Sequence, residues 1–135
     1  MTEAARIMQE FLNKVSSLDI EGIKSLFAEN VVQKVPFAPE GTPDAISGKE
    51  AVSGNFEGLP LMFRSLKYSD VEIVETMDDR FAVAFAHADG VLANGNPYLQ
   101  NYVFYVRLDV AGKISEYREY MNPQQLAKAL AALGA

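Results

Sequence analysis

The chain has 135 residues, 49% hydrophobic and 22% charged, the size and balance of one globular domain spanning residues 1–135. Twelve basic residues against eighteen acidic ones give a formal net charge of −6, which repels both a phosphate backbone and an anionic bilayer, so neither nucleic acid nor membrane is expected as a partner. With no cysteine and one histidine, disulfides, thiolate nucleophiles and Cys- or His-rich metal centres are excluded, and no metal is expected.

From Thr2 onward, Ile7, Met8, Phe11, Leu12 and Val15 recur at helical spacing and predict an amphipathic helix that ends near Ser16 and Ser17. Asp19 is suited to cap a second, short helix whose stripe is Ile20, Ile23, Leu26 and Phe27, with Asn30 as its stop. Val31 to Phe37 is rich in β-branched residues and is closed by Pro36, Pro39, Gly41 and Pro43, which predicts a strand near a sheet edge running into a loop. Ser47-Gly48-Lys49-Glu50 has capping-box spacing and opens a third helix with Val52, Phe56 and Leu59 inward. Pro60 closes or kinks that helix.

Three long strand-like runs follow: Leu66 to Thr76, Arg80 to Leu92 and Tyr98 to Asp109, separated by Met77-Asp78-Asp79 and by Ala93 to Pro97 as hairpin loops. Gly112-Lys113 turns into a last strand, Ile114 to Met121. Asn122-Pro123 then starts a C-terminal helix with Leu126, Leu130 and Leu133 as its buried stripe. Helices on one face of a curved, mostly antiparallel sheet satisfy this order, an α+β fold. No apolar run nears the ~20 residues a membrane-spanning helix needs. The first thirteen residues lack the basic start and continuous apolar stretch of a secretory signal, so the expected address is cytoplasmic.

Side chains alternate across a strand. In the Arg80 to Leu92 run, Phe81, Val83, Phe85, His87 and Asp89 oppose an alanine row, Ala82, Ala84, Ala86 and Ala88. Large rings bury more area on the helix-covered face, so the odd set, with His87, is expected inside. The flat alanine row is then expected outside, where a second copy can approach to form a homodimer. In the last strand Ser115, Tyr117, Glu119 and Met121 oppose Ile114, Glu116, Arg118 and Tyr120. For the strand before it, periodicity does not choose between Tyr102, Phe104 and Val106 and the alternate set.

Leu18-Asp19-Ile20-Glu21-Gly22-Ile23 with Leu26-Phe27-Ala28-Glu29-Asn30, and Gly112-Lys113-Ile114 followed by Tyr117-Arg118-Glu119-Tyr120-Met121-Asn122-Pro123, resemble the nuclear transport factor 2-like superfamily over essentially the whole chain. The superfamily includes SnoaL-like polyketide cyclases, ketosteroid isomerases, limonene epoxide hydrolases and phenazine-biosynthesis A/B proteins. The second segment looks especially like the SnoaL-like and phenazine A/B pattern. The resemblance implies a cone-shaped, cystatin-like sheet wrapped around N-terminal helices, and it puts Phe104, hence Tyr102, on the pocket side. It sets Glu119 where the phenazine A/B proteins carry a catalytic glutamate and the epoxide hydrolases an aspartate, and His87 near a pocket carboxylate of the latter. Against ketosteroid isomerase the sequence departs, with Val35 at the proton-abstracting aspartate and Phe11 and Phe104 at the two oxyanion donors.

The implied pocket is aromatic: Phe11, Phe37, Phe63, Phe81, Phe85, Tyr102, Phe104 and Tyr117, with Val35, Asp89 and Met121 as further ligand contacts. Glu119 in such a pocket is a general acid whose pKa burial raises, and His87 its helper base. The bland alternatives are an ion pair of Glu119 with Arg118 or Arg107 and a histidine held by a backbone carbonyl or by Asp89. Lys34 reads as solvated, and Met8, Met62, Met77 and Met121 as filler. The function expected is cofactor-free acid/base chemistry on a small apolar oxygenated molecule, by isomerisation, cyclisation, dehydration or hydrolysis. A non-catalytic ligand-binding or dimerisation module of the same fold is the alternative.

Overall fold

In the computed structural model, which describes residues 1–134, α1 (Glu3–Ser16) begins where the Thr2 hydroxyl accepts from the Ala5 amide, and Ile7, Met8, Phe11, Leu12 and Val15 are all buried. The Asp19 carboxylate caps α2 (Ile20–Ser25) by accepting from the Gly22 amide. This helix is shorter than its apolar stripe suggests. Phe27 already belongs to β1 (Phe27–Lys34), where it pairs in parallel with Ile114, so Asn30 lies within a strand.

A three-residue strand, β2 (Ala45–Ser47), covers β1 and forms the sheet edge there. Ser47 ends that strand, so the capping box does not form. Gly48, at φ +95°, caps α3 (Lys49–Glu57) without a side-chain bond, a backbone conformation that glycine adopts at no steric cost. Pro60 sits in the first turn of α4 (Leu59–Met62). The long strands are β3 (Phe63–Glu75), β4 (Phe81–Leu92), β5 (Pro97–Leu108) and β6 (Ile114–Met121), and α5 (Pro123–Ala132) follows. The Asn122 side chain accepts from the Gln124 amide to start α5. Its inward positions are Leu126, Ala129 and Leu133 rather than Leu130.

The six strands form one curved, unclosed sheet in the order β2-β1-β6-β5-β4-β3. Only β1 and β6 run parallel; the other pairs are antiparallel. Helix α1 lies across β3, β4 and β5. No helix among the described residues is long and apolar enough to cross a membrane.

The sidedness of β4 is the reverse of the sequence-based expectation. Ala82, Ala84, Ala86 and Ala88 are buried, whereas Phe85 is 44% exposed. Register shows why one face holds these residues together: Ala84 lies opposite Phe104, and Phe104 opposite Glu119. The apolar bulk on this face comes from α1 (Met8, Phe11, Leu12) and from β5, so methyl groups on β4 leave the room those side chains fill. The small row continues to Gly90, where a Cβ would stand 2.9 Å from the Ser65 carbonyl oxygen.

The outer face carries the large set. Phe81 packs on Tyr105 with ring centroids 4.5 Å apart, and His87 faces Asn101, its Nδ1 3.0 Å from Asn101 Oδ1. The premise of a flat alanine surface for a second copy is thereby replaced: the outer face is aromatic.

Candidate functional site

Tyr117, Glu119 and Met121 are alternate residues of β6 and point to the helix-covered side. There they meet Tyr102 and Tyr98 from β5, Tyr68 and Leu66 from β3, and Phe56, Leu59 and Met62 from the α3–α4 region, around a cavity of about 160 Å³. A second, wider lobe of about 410 Å³ adjoins it and shares Phe56, Leu59, Met62, Glu119 and Leu126. Its other walls come from β1 and the segment leading to β2, including Gln33, Val35, Pro39, Pro43 and Ile46, with Asn55 of α3. Glu119 therefore stands at the neck between two lobes. What surface it keeps opens onto the cavity.

The carboxyl group has one protein partner among the described residues, the Tyr117 hydroxyl, which donates to Oε1 across 2.6 Å. Burial pushes the Glu119 pKa above the usual carboxyl range, and the Tyr117 bond offsets part of that rise. Neither arginine considered as an ion-pair partner reaches it. Arg107 pairs with Asp78 at 3.1 Å, and Arg118 pairs with Glu116 and lies over the Tyr105 ring on the outer face.

Four phenols surround this carboxyl. Burial, and next the nearby Glu119 charge, raise the pKa values of Tyr68, Tyr102 and Tyr117 well above the ordinary phenol value, so all three remain hydrogen-bond donors. Tyr98 and Tyr102 share a hydrogen bond of 2.8 Å, and Gln100 holds Tyr98 from behind at 3.3 Å. Tyr68 packs edge-on against Tyr102 and Phe104. Among the hydrogen bonds between described residues its hydroxyl has none, which leaves a donor facing the cavity.

Of the residues singled out from sequence, the structure brings Glu119, Phe63, Tyr102, Tyr117 and Met121 to the inner lobe and Val35 to the outer one. Phe11 and Phe104 are fully buried in the core beneath the cavity rather than on its wall. Phe11 reaches the wall through Tyr117, at 4.9 Å between centroids, and through Phe56, at 5.8 Å. His87, Phe81, Phe85 and Asp89 belong to the outward set of β4 and are corrected to the far face of the sheet. Phe37 is 53% exposed and packs on Tyr120 outside. Lys34 pairs with Glu116 at 3.3 Å.

The sequence reading did not reach Tyr68, Tyr98, Gln33 or Asn55. Tyr68 lies within the Leu66 to Thr76 run, two residues from Leu66 and on its face, whereas Gln33 and Asn55 meet only through tertiary folding. Among the described residues no three His, Asp or Glu side chains converge as metal ligands.

Residues 8–117 match the family model described as a SnoaL-like domain. The uncharacterized PhzA/B-like protein PA3332 of Pseudomonas aeruginosa is 29% identical over 133 residues, covering 98% of this chain and 93% of its own length. A Bacillus subtilis protein provisionally named an isomerase has a similar crystal structure, with TM-score 0.86 and 27% identity over 96% of this chain and 93% of that one. RV0760c of Mycobacterium tuberculosis, in complex with estradiol-17β-hemisuccinate, has TM-score 0.79 and 24% identity, covering 93% of this chain and 98% of that one.

Proposed function

The chain belongs to the SnoaL-like domain family, and from that premise we propose that it is a small-molecule enzyme whose acid/base group is Glu119. Its substrate is a small, mostly apolar, oxygen-bearing compound held in the tyrosine-lined cavity. The observation that carries this reading is a carboxyl group at the neck of the cavity with, among the described residues, no counter-charge and a single hydrogen bond, from Tyr117.

Burial disfavours the ionised form of Glu119 and raises its pKa, which favours the protonated group as the proton donor. From there the group gives that proton to a substrate oxygen, while the Tyr68 hydroxyl donates a hydrogen bond to the same developing charge. The carboxylate left behind recovers a proton from a substrate carbon or from water, which closes an isomerisation, cyclisation, dehydration or hydrolysis. This chemistry runs on protein side chains and invokes no cofactor. Support for the ligand class comes from RV0760c, whose complex holds an apolar ring system with oxygen-bearing ends. Val35 on the outer lobe supplies no base, so proton transfer falls to Glu119.

A non-catalytic ligand-binding module is the second reading, and one observation favours it. His87, the expected helper, faces away from the cavity. A cytoplasmic address and a homodimer through the outer sheet face complete the proposal, the latter on the exposed Phe85 and Leu99 side chains.

The test is to identify a ligand that co-purifies with the protein by mass spectrometry and follow its turnover. Glu119→Gln is expected to lose roughly 10²–10⁴-fold in rate and to keep affinity, as for loss of a positioned proton donor. Equal turnover in both proteins removes Glu119 from the mechanism. A ligand returned unchanged by the wild type makes the cavity a binding module.

A further inference from the structure

Two glutamines are buried on the inner face of the sheet, and their amides are used differently. Gln100 is 1% exposed and fully engaged. Its Nε2 donates to the Asn122 carbonyl at 3.0 Å and to Tyr98, and its Oε1 accepts from the Asn101 and Asn122 amides at 3.0 and 2.8 Å. Gln100 ties β5 to Asn122 at the start of α5. Gln33, 6% exposed, makes one bond: its Oε1 accepts from Asn55 Nδ2 at 3.1 Å. Its Nε2 meets no other described side chain or backbone group, and neither does Asn55 Oδ1.

Gln33 interrupts a β-branched stretch, Val31-Val32-Gln33-Lys34-Val35, at an inward position where an apolar side chain would bury without penalty. Gln33 Nε2 is not among the fully enclosed polar atoms that lack a partner, so its unused donors are reached from the lobe, and a guest that excludes water there without replacing those bonds loses affinity. Gln33 lies beside Tyr117 in the parallel β1–β6 register and lines the same lobe as Glu119 and Asn55. Turning both amides over exchanges their roles and leaves the same outward pattern, one unused amide NH2 group next to one unused amide carbonyl.

We propose that the Gln33–Asn55 amide pair reads the polar end of the ligand, selecting a neutral group that presents a hydrogen-bond acceptor beside a donor, as a carboxamide, lactam or un-ionised carboxylic acid does. The apolar body of that ligand extends past Glu119 into the inner lobe. Asp44 on the wall of the outer lobe disfavours an anionic end. The proposal rests on the cavity taking a small organic molecule, and is independent of whether Glu119 turns it over.

Because the six tyrosines emit near naphthalenes and an aryl ketone barely fluoresces, binding is read by isothermal titration calorimetry. The probes are 2-naphthamide, 2-acetylnaphthalene, which keeps only the acceptor, and 2-ethylnaphthalene, which keeps neither. The wild type is expected to bind the amide on the order of 10-fold tighter than the ethyl compound, with the ketone between, because an apolar analogue leaves the paired amides unsatisfied. Gln33→Leu is expected to reduce that preference to below about 2-fold while still binding 2-ethylnaphthalene.

An unchanged preference in Gln33→Leu, or no preference in the wild type, overturns the proposal and leaves the cavity reading standing. Loss of the preference in Glu119→Gln but not in Gln33→Leu overturns it too, since the carboxyl would then be the reader. Failure of all three probes to bind the wild type ends both. Circular dichroism establishes that Gln33→Leu is folded; should it not fold, Asn55→Ala, on an exposed helix position, carries the same comparison, with loss of the preference expected and its retention overturning the proposal.

Discussion

Tyr117 and Glu119, two residues apart on one face of β6, are joined by a hydrogen bond of 2.6 Å in which the phenol donates to Oε1. The bond opposes the effect of burial on the carboxyl group: burial raises its pKa and the phenol draws it back. Two neighbours in sequence thus set the proton affinity of the cavity's central group.

Removing the phenol should therefore move that affinity upward. In Tyr117→Phe, the midpoint of the Glu119 carboxyl titration, read by carbon-13 NMR, is expected at higher pH than in the wild type. With a substrate in hand, the alkaline limb of the pH–rate profile is expected to shift the same way. A midpoint that falls contradicts the assignment of donor and acceptor.

Folding stability should carry the same signature. The folded-state pKa of Glu119 lies above its unfolded value, so between the two the native chain binds more protons than the unfolded one. Stability from this group is complete below the unfolded carboxyl value of about 4.3 and declines as pH rises through the folded value. Glu119→Gln removes that decline. Its melting temperature relative to wild type should rise from pH 4 to pH 8, and parallel curves for the two proteins would contradict a buried, proton-holding carboxyl.

The reversal of β4 can be measured through its alanines. Ala84 is fully buried under α1 and beside Phe104, so Ala84→Leu overpacks the interface and should cost about 1–3 kcal/mol in urea unfolding. Phe85→Ser, on the outer face, should cost less than about 1 kcal/mol in the monomer. The opposite ranking would restore the outward alanine row.

Phe85 also bears on assembly. Light scattering at micromolar concentration should give about twice the 14.8 kDa chain mass, and Phe85→Lys should give a single chain, because a charge at the centre of an apolar contact is left without a partner. A wild type of single-chain mass would remove the proposed homodimer.

The last strand was legible to the residue, Ile114–Met121, because a Gly-Lys turn and an Asn-Pro helix start bracket it. Its inward set, Tyr117, Glu119 and Met121, followed from alternation combined with the family resemblance. The rule that large rings point inward failed on β4, since it omits what the covering helix brings. Register holds the missing information. The turn closed by Leu92 donating to the Asn96 carbonyl fixes even residues of β4 opposite even residues of β5, so Phe104 inside requires Ala84 inside. The bulge between Ser69 and Glu72 likewise breaks simple alternation in β3. Gln33 and Asn55 lie 22 residues apart, on elements whose contact depends on a three-residue strand that reads as loop.

Because one carboxyl group stands at the neck shared by both lobes, any guest that fills them strips away its remaining hydration. The ionised form then loses more than the protonated form, so occupancy and proton uptake are thermodynamically linked. Association should draw a hydrogen ion from the buffer, and the heat released should vary with the buffer's own ionisation enthalpy.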